Sequence, residues 1–226
     1  MQIVAIVQQK GGCGKTTITG NLLGELLRAK QSVVAFDLDD QKSLTRWARR
    51  GQGVLHDRVQ TMAINRQLRG SFRAAVGAAG ADYVLLDCPP GFADPALEAS
   101  LIAQLALVPV GPSTSDIDSA VETLFELRSA QKINPALQIA FVPTLLDRTA
   151  VSRDLPTFLG RYLVPVFPGI TRLVANIEAY TQGLTVRECV PSSKSVGEFE
   201  ALMQGVQQWE RSRDLIATQL NLSAQA

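Results

Sequence analysis

Cysteine is scarce in this chain, and long apolar runs are missing. The three cysteines, Cys13, Cys88 and Cys189, lie far apart and form no metal-ligand spacing. That pattern points to a reduced cytosol rather than to a metal module. No apolar stretch approaches the roughly 18–20 residues that a membrane span requires. Internal repeats and low-complexity linkers are also absent. The N-terminus runs straight into an apolar stretch, so we expect no signal peptide and no additional N-terminal DNA-reading domain. A chain of 226 residues has no room for two large domains, and a single domain over residues 1–226 is expected. Hydrophobic residues at 46% and charged residues at 19% give the balance of a soluble globular protein.

What is present is concentrated near the start. Residues 2–7 (QIVAIV) are a short β-branched run that reads as a buried strand, and residues 18–30 carry Leu22, Leu23, Leu26 and Leu27 at helical spacing. Between them stands Gln9-Lys10-Gly11-Gly12-Cys13-Gly14-Lys15-Thr16-Thr17. Strand, glycine-rich turn and helix together form the context of a phosphate-binding loop. The glycines let backbone N–H groups converge on an anion, and the new helix points its positive end at it. Lys15 can then reach the β/γ-phosphates and the Thr16 hydroxyl a Mg²⁺ ion. Cys13 reads as a small residue that fits the loop, with a redox-sensitive site as the alternative. The general pattern G-x-x-x-x-G-K-[ST] wants glycine at position 9; this chain has Gln9 there and a second lysine, Lys10, at the mouth of the loop.

Two further apolar runs end in acids. Residues 32–39 (SVVAFDLD) finish on Asp37 and Asp39, and residues 81–87 (ADYVLLD) finish on Asp87 and lead into Cys88-Pro89-Pro90-Gly91. Ligands of open α/β sheets gather at the carboxyl ends of the strands, which places these acids beside the phosphate loop. An acid at a strand end can also serve as an ordinary helix cap.

The stretch KGGCGKTT resembles the deviant phosphate loop KGGxGKT[ST] of the ParA/MinD family of ATPases. Asp37-Leu38-Asp39-Asp40-Gln41-Lys42-Ser43 resembles that family's DxDPQGS segment, with Asp40 for its proline and Lys42 for its glycine, so the local turn is expected to differ. DYVLLDCPPG resembles its DYxxxDxPPG strand and switch. The resemblance covers nearly the whole chain, more loosely in the last third. It implies ATP and Mg²⁺ as cofactors, with Gly11, Gly12, Cys13, Gly14, Lys15, Thr16 and Thr17 around the phosphates. Thr16, Asp37 and Asp87 would form the metal shell, and Asp39 would position the attacking water. It also implies that Lys10 reaches the partner subunit's nucleotide in an ATP-dependent homodimer. Lys10, Lys15 and Asp39 are thus the expected catalytic set. The exit of the strand at 137–146, at Pro143 and Thr144, falls where the family often contacts adenine, although its frequent asparagine is missing.

The net charge of +1 hides an asymmetry. Residues 42–73 hold Lys42, Arg46, Arg49, Arg50, Arg58, Arg66, Arg69 and Arg73 against Asp57 alone, a net +7, whereas residues 74–146 carry a net −6. Such a basic block is either a phosphate-backbone patch or a set of solvated helix faces. Arg46, Arg49, Arg50, Arg66 and Arg69 are the candidate DNA contacts; Arg148, Arg153, Arg161, Arg172, Arg187 and Lys194 are the next group. Trp47, among the arginines, fits the core equally well.

The remaining pattern predicts a helix from Asp94 (as N-cap) and Pro95, a strand at 105–110, and a helix at 116–132 with Val121, Leu124, Phe125 and Leu127 inward. It also predicts a helix at 152–162, a short strand at 164–167, and a loop from Ile170 into a helix. A long helix follows Ser193. The expected fold is α/β: a doubly wound, mostly parallel sheet with helices on both faces. The resemblance implies an ATP hydrolase of the ParA type that segregates or positions plasmid, chromosome or another large cargo. Non-specific DNA and a cargo-bound adaptor of ParB type are the implied partners, and the location is cytoplasmic and nucleoid-associated when ATP is bound. A MinD-like membrane-associated ATPase is the alternative, but residues 195–226 are net −2 and anionic lipid should repel them, so no membrane partner is expected. An iron-protein-like reductase, a scaffold without turnover and an ATP-using ligase remain as other classes.

Overall fold

The computed structural model describes residues 1–65 and 67–223, with side chains described as far as residue 213. Six strands alternate with helices along the chain: β1 (Gln2–Ile6), α1 (Lys15–Arg28), β2 (Val33–Asp37), α2 (Ser43–Arg50), β3 (Val59–Thr61), α3 (Arg69–Gly77), β4 (Tyr83–Asp87), α4 (Asp94–Ile102), β5 (Leu105–Val110), α5 (Thr114–Gln131) and β6 (Gln138–Pro143). Then come α6 (Ala150–Gly160), α7 (Val174–Gln182), α8 (Val186–Cys189) and α9 (Lys194–Ser223).

The strands form one parallel sheet in the order β3-β2-β4-β1-β5-β6. Their near-continuous apolar sequences follow from burial on both faces. Alternation along β1 divides two cores: Ile3 and Ala5 face Phe72, Leu124 and Phe141, whereas Val4 and Ile6 face Leu22, Leu26, Trp47 and Phe199. The first core lies under α3 to α6, the second under α1, α2 and α7 to α9. Register places Ile6, Asp37 and Asp87 level at the strand ends. The loops that leave them therefore converge at one edge.

The sequence pattern departs from this fold in several places. β3 and α3 carry too few periodic apolar residues to be read in advance. The segment 164–167 lies beside β6 but pairs only as an isolated bridge, Phe141 with Val166; Pro165 supplies no N–H for a regular ladder. The N-cap of α4 is Ala93, so Asp94 is in the first turn with Pro95, where its charge still suits the helix dipole. Phe125 is 61% exposed, because one extra position along α5 turns it off the Leu124–Leu127 stripe.

Candidate nucleotide site

The loop between β1 and α1 closes on two left-handed glycines, Gly12 (φ 75°) and Gly14 (φ 98°). A side chain at either would be strained, which is why the turn is glycine-coded. Lys15, buried at the start of α1, donates from Nζ to the carbonyl oxygens of Gln8 and Lys10, both at 3.0 Å. Its ammonium is thus held inside the curl of the loop. Cys13 is buried, its thiol donates to Lys10 O at 3.3 Å, and burial raises its pKa. It packs as a neutral thiol.

The three strand-end acids meet the loop in different ways. Asp87 accepts from the hydroxyls of Thr16 (2.8 Å) and Thr19 (3.1 Å). Burial, reinforced by the charge of Asp37, pushes Asp87 up to about 7 against those two hydrogen bonds. Asp37 is fully buried and accepts from Thr45 N (2.8 Å), Thr45 Oγ1 (2.9 Å) and Asp39 N (3.2 Å). It therefore ties the start of α2 to the sheet. Asp39 accepts from Gln41 N at 2.8 Å and lines a cavity with Gly11, Gly12, Lys15, Thr16 and Pro90. The turn behind it is closed by Lys42 N donating to Asp39 O at 2.8 Å, with Lys42 itself left-handed at φ 51°.

A divalent cation fits the donor set. Thr16, Asp37 and Asp87 offer only oxygen atoms, the ligand type that Mg²⁺ takes, usually with several waters retained. Thr16 is the hydroxyl at the loop, and it donates to Asp87 at 2.8 Å. Asp37 spends both oxygens on hydrogen bonds within the chain, which suits contact through water better than direct ligation. Among the described residues no group of three or more His, Cys, Asp or Glu side chains forms a metal cage.

Lys10 points away from this cavity. Its Nζ pairs with Asp116 Oδ1 at 2.6 Å and donates to Ser115 Oγ at 2.9 Å. Partial burial of Asp116 works against its charge, but the Lys10 ammonium and Ser113 together hold its carboxyl below the usual value. Gln8 locks the same region from inside: its Oε1 accepts from Thr123 at 2.8 Å, and its Nε2 donates to Pro109 O at 3.0 Å.

A second cavity adjoins the first across Gly14, Thr17, Leu145 and Tyr180. Thr144 lines it and donates to Cys13 O at 2.8 Å. Pro143 does not line it; its carbonyl accepts from Ile170 N at 2.8 Å and so places the opposite wall. That wall comes from Ile170, Leu173, Asn176 and Ile177. None of these carries a sequence motif, and no signal in the sequence assigns them a role. Tyr180 closes the wall against α2. Its ring stands 5.4 Å from Trp47 and under the Arg50 guanidinium at 4.6 Å, and its carbonyl accepts from Arg50 Nη1 at 3.3 Å. Trp47 is therefore core, donating from its indole to Leu184 O.

The basic block divides. Arg46, Arg49 and Arg50 are exposed on α2, a helix with no acid in it. Arg69 is paired: Nη2 donates to Asp94 at 3.0 Å, and Nε lies 2.9 Å from Glu98, near enough for an ion pair but poorly aligned for a hydrogen bond. Arg73 also donates to Glu98, at 2.9 Å. Arg66 lies outside the described residues. In the second group, Arg187 is bound to Glu25 and Glu200, and Lys194 to Glu198.

Comparison with known proteins identifies the family. The family described as the CobQ/CobB/MinD/ParA nucleotide binding domain matches residues 4–186. The chain is 29% identical over 199 residues to "Maintenance of carboxysome distribution protein A" of Halothiobacillus neapolitanus, covering 86% of this chain and 91% of that protein. It is also 29% identical over 236 residues to "Chromosome-partitioning ATPase Soj" of Thermus thermophilus, covering 90% and 94%. The fold matches the septum site-determining protein MinD of Pyrococcus horikoshii, complexed with Mg-ADP, with a TM-score of 0.72 at 23% identity, over 92% of this chain and 97% of that one.

Proposed function

The chain belongs to the CobQ/CobB/MinD/ParA family of nucleotide-binding domains, and on that premise we propose that it is an ATP-hydrolysing positioning switch of the ParA type. The observation that carries this reading is the joint placement of Lys15, Thr16 and Asp39 around one cavity, with a second lysine, Lys10, in the same loop held by Asp116. The named relatives, a carboxysome-distribution protein and a chromosome-partitioning ATPase, support the same class of work.

In this reading the β- and γ-phosphates lie in the curl of residues 10–16, where Lys15 leaves its carbonyl partners to neutralise them. Phosphoryl transfer needs positioning and charge neutralisation more than covalent help. When bound, Mg²⁺ held by Thr16, with Asp37 and Asp87 behind water, adds to that neutralisation. Asp39 stands on the same cavity at the turn before α2 and orients the attacking water. Lys10 must let go of Asp116 to reach across to the nucleotide of a second subunit, so ATP closes a homodimer and hydrolysis reopens it. Two joined subunits would present two copies of the α2 stripe Arg46–Arg49–Arg50, and their sequence-blind phosphate contacts would add. A cargo-bound adaptor of ParB type that stimulates hydrolysis completes the cycle, at the nucleoid. Among the described residues no helix is long and apolar enough to cross a membrane.

The test compares wild type with Asp39→Ala, following phosphate release and residence on DNA at one salt concentration. Loss of water positioning should slow hydrolysis by about 10²-fold or more. Nucleotide binding should stay within about threefold, because no ground-state contact is lost. The variant should then stay on DNA longer than wild type, and reversing Arg46 and Arg49 to Glu should weaken that retention on all sequences alike. Unchanged hydrolysis removes Asp39 from the mechanism; slowed hydrolysis with shorter residence breaks the coupling between ATP and DNA.

A further inference from the structure

Helix α7 carries a polar atom that no group among the described residues satisfies. Asn176 lies in the first turn of α7 and lines the second cavity, a space of about 290 Å³. Its amide nitrogen donates to Thr171 O at 3.3 Å, which identifies Oδ1 as the free end of the amide. That oxygen is buried and, among the described residues, has no hydrogen-bond partner. Native proteins rarely leave a buried carbonyl unpaired, because its lost hydration is then uncompensated.

The surroundings indicate where a donor comes from. Leu145, Ile170, Leu173 and Ile177 make the cavity largely apolar, suited to a flat ring, and Gly14 and Thr17 join it to the phosphate side. Sites of this kind fix a ligand's orientation with a few polar groups among apolar walls. Oδ1 itself has no exposed surface, so pairing with a ligand requires the amide to turn about its long bond to Thr171. Arg172, on the same wall, is exposed and only a donor. It can pair with N7 of any common purine and with O6 only of a keto purine, so a preference for the amino edge has to come from an acceptor.

Resting on the ATP-site reading above, we propose that Asn176 is the residue that selects the base: its Oδ1 accepts from the exocyclic 6-amino group of adenine. A 6-keto purine would turn an acceptor toward it and leave both oxygens unpaired. Sites built to pair with a polar substituent discriminate strongly against analogues that lack it.

The experiment is equilibrium binding of ATP, ITP and 2′-deoxy-ATP to the full chain, as wild type, Asn176→Leu and Asn176→Asp, with ATP turnover measured alongside. Wild type should prefer ATP over ITP by about tenfold or more. Asn176→Leu, which has similar bulk and no acceptor, should bring that ratio within about threefold by weakening ATP alone. Its KM for ATP should rise while kcat changes less than twofold. Asn176→Asp keeps an acceptor and should keep the preference. If Asn176→Leu does not fold, Asn176→Ser, whose hydroxyl falls short of the base, reads the same ratio. Asn176→Leu, or Asn176→Ser in its place, retaining the wild-type ATP:ITP ratio overturns the proposal, and so does wild type binding ATP and ITP equally. A collapse in the ATP:2′-deoxy-ATP ratio instead would make Asn176 a ribose contact. If wild type bound no nucleotide, the ATP-site reading itself would fail, a result distinct from all of these.

Discussion

The two cavities share Gly14, Thr17, Leu145 and Tyr180, yet they are built by opposite means. The phosphate side is assembled from short contiguous segments that leave β1, β2 and β4, three strands adjacent in the sheet. Its chemistry is polar and directional: a buried ammonium, threonine hydroxyls on a carboxylate, and carboxylates level at the strand ends. Such chemistry admits few residue types at few spacings, so it is written in the chain as motifs. The second side is apolar and comes from the exit of β6 and from the loop at 170–173 that leads into α7. Apolar shape can be filled by many side chains, so no spacing marks it. The comparison teaches that a site's charged half can be found from sequence while its discriminating half has to be found from packing.

The sharpest way to break this contrast is Lys15→Ala. Removing one partner of a buried charged contact typically loses about 2–5 kcal/mol, so ATP and ADP should each bind at least about 30-fold more weakly. Adenosine, which has no phosphates, should be unaffected. Titration with a fluorescent nucleotide, competed by each ligand, measures both. Equal losses for adenosine and ATP would mean that the two sides do not act separately.

Gly183→Ala strikes the other side. Gly183 ends α7 in the left-handed region at φ 74°, and a Cβ there would lie 2.1 Å from Gly51 N. Backbone meets backbone, so neither can yield as a side chain would. Strain of about 1–3 kcal/mol from the dihedral adds to the overlap, and a loss of about 3 kcal/mol should lower Tm by about 6–12 °C. Because this crossing clamps α2 to α7, Tyr180 should also lose its seat between Trp47 and Arg50. A thermal melt with and without ATP would show reduced stabilisation by nucleotide in the variant. A melt within 2 °C of wild type, allowing about 2–4 °C per kcal/mol, would show that the crossing relaxes easily.

The same contrast explains what can be read in advance. The parallel sheet, the phosphate loop and the placement of Asp37, Asp39 and Asp87 are legible, because short apolar runs and the acids at their ends are local signals. Pro143 and Thr144 are legible only as a location: Thr144 lines the cavity, whereas Pro143 acts through its carbonyl on Ile170. The arginines show the limit most plainly. Arg46 and Arg69 look alike in a net +7 block, and only the approach of α4, which brings Asp94 and Glu98 to Arg69, separates an exposed charge from a neutralised one. Phe125 is misplaced by the sequence pattern because a helical stripe one residue wide leaves little margin, and in the fold it is exposed.

The smallest effect lies at Lys42, where the phosphate side departs from the family's pattern of glycine. That departure leads one to expect an altered turn. Lys42 adopts φ 51° and ψ 41°, a left-handed conformation, and the turn closes with Lys42 N on Asp39 O at 2.8 Å. An L-residue carries a penalty of about 1–2 kcal/mol in that region. Glycine removes the penalty but gives back about 0.5–1 kcal/mol through the greater freedom of its unfolded chain. Lys42→Gly should therefore stabilise the protein by up to about 1 kcal/mol, read as a higher urea midpoint at an unchanged m-value. Lys42 is exposed, so the substitution opens no cavity. It does remove one positive charge from a basic block, which can also stabilise. Lys42→Ala separates the two causes, because alanine loses the charge but keeps the left-handed strain. If alanine gains as much as glycine, the benefit is relief of charge repulsion and the turn is unstrained. If only glycine gains, the geometry around Asp39 is set by the turn itself, and hydrolysis should stay within about twofold of wild type because the carboxylate has not moved.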